Sequence, residues 1–90
     1  MNDEIIDILR RCCLKFGVSE AEAKSASTKI EAVYCRKAFA IIVKSKYPVS
    51  NCTIGEYISK KHNSIHYMIN NEIHDTKFNR AVSEVSSTLQ

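Results

Sequence analysis

The chain has 90 residues, 44% of them hydrophobic, with two glycines, one proline and a net charge of +3. It is long enough for one domain around one modest core, too apolar for a disordered tail, and too poor in Gly and Pro for a turn-rich β fold. The longest apolar run, residues 38–43, is too short to span a bilayer, and the acidic start (Asp3, Glu4, Asp7) is unlike a secretory signal. The expectation is an all-α, small helical bundle, one domain over residues 1–90, in the cytoplasm.

The periodicity predicts six helices, one of them short. The first spans residues 3–16, where Ile5, Ile6, Leu9, Cys12, Cys13 and Phe16 make an apolar stripe and Gly17 supplies the stop. Ser19 and Glu22 fit a capping box, so a short helix is expected over residues 20–25, followed by a loop over 26–29. The third helix, residues 30–47, is apolar on most of its circumference (Ile30, Val33, Tyr34, Ala38, Phe39, Ile41, Ile42, Val43) and is therefore expected at the centre. Lys44 and Lys46 suit its C-terminus, and Pro48 follows it. Ser50 or Thr53 caps the fourth helix, Thr53 with Glu56 being the stronger local signal. A fifth helix is expected from His62 or Asn63 to about residue 74, and a sixth over residues 77–87 on Phe78, Val82 and Val85.

Residues 53–70, TIGEYISKKHNSIHYMIN, carry the most functional information. Two short helices flank a basic turn, and the second opens on His62, Asn63 and Ser64, which no core would use. A polar first turn of this kind is what the second helix of a helix-turn-helix presents to base edges in a major groove. Asn63 has the chemistry for bidentate pairing with adenine, Ser64 can bond to several bases, and His62 can donate or accept. His66 and Tyr67, one turn on, extend this set, while Lys60 and Lys61 are candidates for phosphate contacts. Arg36 and Lys37, within the third helix, are candidates for the DNA backbone, with Arg36 suited to a narrow minor groove. Residues 36–71 hold six basic side chains against Glu56 alone, a local charge of +5 within a chain of +3. Simple capping by Asn63 and Ser64, and solvation of the lysines, are the plainer readings of the same residues.

Other chemistry has little support in the sequence. His62 and His66 are four apart, but no Glu follows His62 in a metalloprotease pattern, so no metal site is expected. Cys12, Cys13, Cys35 and Cys52 include no Cys-x-x-Cys and are expected as buried, reduced small hydrophobes. No catalytic residue and no cofactor are expected.

The segment from residue 36 to 68 resembles the C-terminal DNA-binding domain (domain IV) of the bacterial replication initiator DnaA. Ile54-Gly55 matches the Ile-Gly pair on that family's first motif helix, and Lys61-His62-Asn63-Ser64-Ile65 is similar to the opening of its recognition helix. Arg36-Lys37-Ala38-Phe39-Ala40 is similar to its Arg-rich start and apolar continuation. The resemblance implies a Trp-repressor-like helix-turn-helix, with Arg36 in the role of a minor-groove arginine and Lys61, His62, Asn63 and Ser64 as major-groove readers. The chain departs from the family in lacking the Asp before the His and in replacing both Thr positions, so what transfers is the role, not the DNA sequence preferred. No Gly-rich phosphate loop is present to support ATP hydrolysis.

The expected function is therefore binding of double-stranded DNA, sequence-selective, in replication or transcription control, by a monomer or homodimer with no membrane partner. A replication or regulatory protein is a further expected partner. The alternative is a protein-interaction module that keeps the fold and has lost DNA binding.

Overall fold

The computed structural model describes residues 2–71 and 73–89. Its helices are α1 (Asp3–Phe16), α2 (Glu20–Ala23), α3 (Ile30–Lys46), α4 (Asn51–Ile58), α5 (His62–Asn70) and α6 (Thr76–Ser87), with no strand among the described residues. α3 packs against each of the other five. Ala32, Cys35, Ala38, Phe39, Ala40, Ile42 and Val43 are buried along it, which is why its sequence lacks a single apolar face. Among the described residues, no helix is long and apolar enough to cross a membrane.

Side-chain caps and one glycine explain most of the boundaries. The Asn2 side chain accepts from Glu4 N at 2.8 Å to start α1, and Gly17 ends it at φ 70°, with Val18 N bonded to the Cys13 carbonyl at 3.0 Å. Ser19 Oγ accepts from Glu22 N at 3.0 Å, one half of the expected capping box, while the Glu22 carboxylate accepts from Ser27 Oγ at 3.2 Å instead. Ile5, Ile8, Leu9 and Cys12 of α1 then lie in the core, each buried aliphatic side chain contributing about 1.5–3 kcal/mol. Phe16, Tyr34 and Phe78 join α1, α3 and α6, their ring centroids 5.1–6.4 Å apart. Asn2 N donates to Tyr57 Oη at 2.9 Å, tying the start of α1 to α4.

Four expectations need correction. α2 stops at Ala23 rather than residue 25, because the carbonyls beyond it turn toward Arg36 instead of continuing a helix. Ser50, not Thr53, caps α4: Ser50 Oγ accepts from Thr53 N at 3.2 Å, and Thr53 lies inside the first turn. α5 ends at Asn70 rather than near residue 74, where Asn71 takes extended angles and gives its carbonyl to Lys37; Glu72, inside the expected span, lies outside the described residues. Cys52 is exposed, whereas Cys12, Cys13 and Cys35 are buried as expected.

α6 begins at Thr76, capped by Asp75 Oδ1, which accepts from Lys77 N at 2.9 Å and Phe78 N at 3.3 Å. Tyr34 Oη donates to the other oxygen of Asp75 at 3.3 Å, so this cap is fastened to α3.

Candidate nucleic-acid interface

α4 and α5 are joined by three residues, Ser59, Lys60 and Lys61. The reversal begins at Ser59, which adopts the left-handed conformation (φ 56°, ψ 44°), while Lys60 N donates to the Gly55 carbonyl at 2.9 Å. The Lys60 carbonyl then passes directly over Gly55, where any Cβ would overlap it, and Ile65 Cγ1 would be 3.5 Å from the same point. The Ile-Gly pair thus has a steric meaning: Ile54 fills the core and Gly55 admits the turn.

Ile65 is fully buried and fixes α5, with Met68 and Ile69 half-buried on the same side. The opposite side is a stripe of exposed side chains at helical spacing: His62, Asn63, His66, Tyr67 and Asn70. Ser64 and Lys61 are exposed beside it. Lys61 is the backbone N-cap of α5 and no side chain caps the helix, so Asn63 and Ser64 are not occupied in capping. None of the side chains of Lys61, His62, Asn63, Ser64 and Tyr67 bonds to another described residue. His66 receives Asn70 Nδ2 on its carbonyl at 2.8 Å. Among the described residues no three His, Cys, Asp or Glu side chains are grouped to hold a metal ion.

Three of the expected DNA-contacting residues point elsewhere. Arg36 is only 4% exposed, and its guanidinium donates to four carbonyls: Ala23 at 2.7 Å, Ser27 at 2.8 Å, Ser25 at 2.9 Å and Glu22 at 3.1 Å. It closes the C-terminal end of α2 and the loop after it, so it does not extend to a minor groove here, nor does it pair with Glu31 or Glu56. Lys37 is 6% exposed and donates to the Asn71 carbonyl. Burial lowers its pKa below the usual lysine range. Lys60 is half-buried and donates to the Ser25 carbonyl at 2.8 Å; burial and the neighbouring Arg36 charge lower its pKa too.

Two exposed lysines not singled out by sequence lie on a loop fastened to the α4–α5 turn. The Ser25 carbonyl receives both Arg36 and Lys60, which fastens the α2–α3 loop to the α4–α5 turn. Lys24, adjacent to Ser25, and Lys29, the N-cap of α3, are both exposed on this loop. Lys29 lies one helical turn before Val33, which with Arg36, Asn63, Ser64, Tyr67 and Met68 lines an open cleft of about 410 Å³ between α3 and α5. A lysine on a loop 30 or more residues before the turn carries no local signal of that neighbourhood. Tyr67, 70% exposed, stands at the cleft with its ring available to a partner.

The arrangement offers a row of hydrogen-bonding groups along one helix, an uncapped helix N-terminus that favours anions, and exposed ammonium groups on two adjacent segments. No protein-family model and no curated protein matches the chain, so the site is assigned from its own geometry.

Proposed function

We propose that this chain binds double-stranded DNA by laying α5 in the major groove, as a non-enzymatic module in replication or transcription control. The carrying observation is the exposed stripe His62, Asn63, His66 and Tyr67, together with Ser64, on a helix held from behind by Ile65. Apart from the His66 ring, which the Asn70 side-chain amide meets at 3.2 Å, these groups have no structural employment, and their chemistry suits base edges. Lys61 supplies the nearest phosphate contact, with Lys24 and Lys29 as flanking charges. The resemblance to the DnaA C-terminal domain supports the same reading for Lys61, His62, Asn63 and Ser64. The minor-groove role that the resemblance implies for Arg36 is not part of this reading, because its donors are spent on carbonyls.

Titration of ¹⁵N-labelled protein with a duplex containing A·T-rich and mixed segments tests the docking face. Shifts concentrated on residues 61–67 and on Lys24 and Lys29 are expected. Shifts concentrated on α1 and α6 instead would remove α5 from the interface.

A protein-interaction module is the second reading, favoured by the inward turn of Arg36 and Lys37 and by the exposed Tyr67 beside an apolar cleft. It requires binding that is insensitive to salt.

A further inference from the structure

Lys37 is left without a part in the DNA-binding reading, and its placement is costly. An ammonium group buried to this degree is normally paired with a carboxylate or held by several acceptors. Lys37 sits on the buried central helix, its amine meets the Asn71 carbonyl, and it forms no ion pair with an acid among the described residues. An amine has three N–H donors, and one backbone carbonyl leaves most of that capacity unused.

The same lysine lines a cavity of about 310 Å³ between α3, the α5–α6 connection and α6. Ile41, Ile69, Ile73 and Phe78 contribute apolar side chains, while His74, Asn71 and the Asn79 amide add polar groups to the lining. The volume lies at the small end of ligand-binding cavities, about 300–1,000 Å³. Apolar side chains beside one buried lysine, with His74 and Asn79 as further polar groups, suit a single negative charge on a small apolar body. A phosphate would bring more charge than one ammonium offsets and would meet no arginine fork.

We propose that this cavity binds a small monocarboxylate with a branched or aromatic apolar tail, its carboxylate on Lys37 Nζ and its tail against Ile41, Ile69 and Phe78. The carboxylate supplies the charge partner that Lys37 otherwise lacks among the described residues, and the tail covers apolar walls. The site stands whether or not α5 binds DNA, because none of its lining residues belongs to the exposed stripe.

Isovalerate and phenylacetate are the probes, with isoamyl alcohol and phenethyl alcohol as uncharged counterparts, titrated at millimolar concentrations into the ¹⁵N-labelled chain. Saturable shifts at Lys37, Ile69, Asn71 and Phe78 are expected with the acids and not with the alcohols. K37M should abolish the response. N79D, on an exposed position that leaves the core intact, should weaken it roughly tenfold by setting a like charge beside the ligand. If K37M does not fold, N79D carries the comparison alone. No saturable response to either acid, equal responses to acids and alcohols, or an unchanged affinity in folded N79D would overturn the proposal.

Discussion

Gly55 and Lys60 are in backbone contact: the carbonyl of Lys60 occupies the space that a Cβ on Gly55 would need. The angle between α4 and α5 depends on this contact, since the turn has only three residues in which to reverse. Gly55→Ala is therefore expected to destabilise the fold by about 2 kcal/mol or more, because backbone, not a flexible side chain, must move. Urea unfolding followed by circular dichroism measures it. A G55A protein as stable as the parent would mean that the turn has room not visible here.

Ser59 gives the opposite expectation. It holds φ 56° without being glycine or asparagine. Ser59→Gly should stabilise the protein by about 0.5–1 kcal/mol, relief of left-handed strain outweighing the added freedom of the unfolded chain. The same unfolding assay shows the sign.

Arg36 should behave as a structural residue. Arg36→Met removes the guanidinium that four carbonyls share: Ala23 and Ser27 lose its hydrogen bonds outright, while Ser25 keeps Lys60 and Glu22 keeps Ser25 Oγ. A loss of about 3 kcal/mol is expected, at the upper end of ordinary single substitutions. Arg36→Lys should recover only part of it, since one ammonium cannot span the carbonyls that a fork does. A full-stability R36M protein would show the carbonyl cluster to be dispensable.

The thiols set an alkaline limit on stability. Burial, with Cys13 nearby, pushes the Cys12 thiol up to about 12, and burial also raises Cys13 and Cys35 above the ordinary value of 9.0. Each folded thiol holds its proton more tightly than the unfolded one, so the stabilisation is complete below pH 9 and is lost as pH rises from 9 toward 12. The lowered Lys37 and Lys60 act in the other direction, but as two groups against three. Unfolding free energy should therefore fall steadily above pH 9. At pH 8 only exposed Cys52 should react promptly with a thiol reagent, the others following global unfolding.

Much of the scaffold was legible before any coordinates. α1 begins and ends where Asp3 and Gly17 indicated, and α3 is central because its apolar residues surround it. The exposure of His62, Asn63 and Ser64 was legible too, since a polar first turn cannot pack a core. The direction of Arg36, Lys37 and Lys60 was not. Each reads as a surface charge, and the carbonyls that receive them lie 9 to 35 residues away along the chain. A positive run can thus overstate a phosphate footprint when part of it serves the backbone. Lys24 and Lys29 were missed for the complementary reason: only tertiary structure sets their loop beside the turn.

At the start of α5, two substitutions separate positioning from reading. Lys61→Ala should weaken binding to all duplexes alike and reduce the slope of log affinity against log salt by about 0.9. Asn63→Ala should cost about 1–3 kcal/mol of discrimination at one or two base pairs while leaving that slope unchanged. Competition with single-base-pair variants of a selected duplex measures both. Equal selectivity in N63A and parent would remove Asn63 from base reading.

The most direct measurement is fluorescence anisotropy of the unmodified chain with a random pool of labelled duplexes about two helical turns long, at two salt concentrations. Binding that weakens steeply with added salt is the expected result, because the exposed lysines around α5 must displace condensed counterions. Absence of binding at low salt would contradict the DNA assignment and leave the exposed stripe of α5, with Tyr67, as a surface for protein.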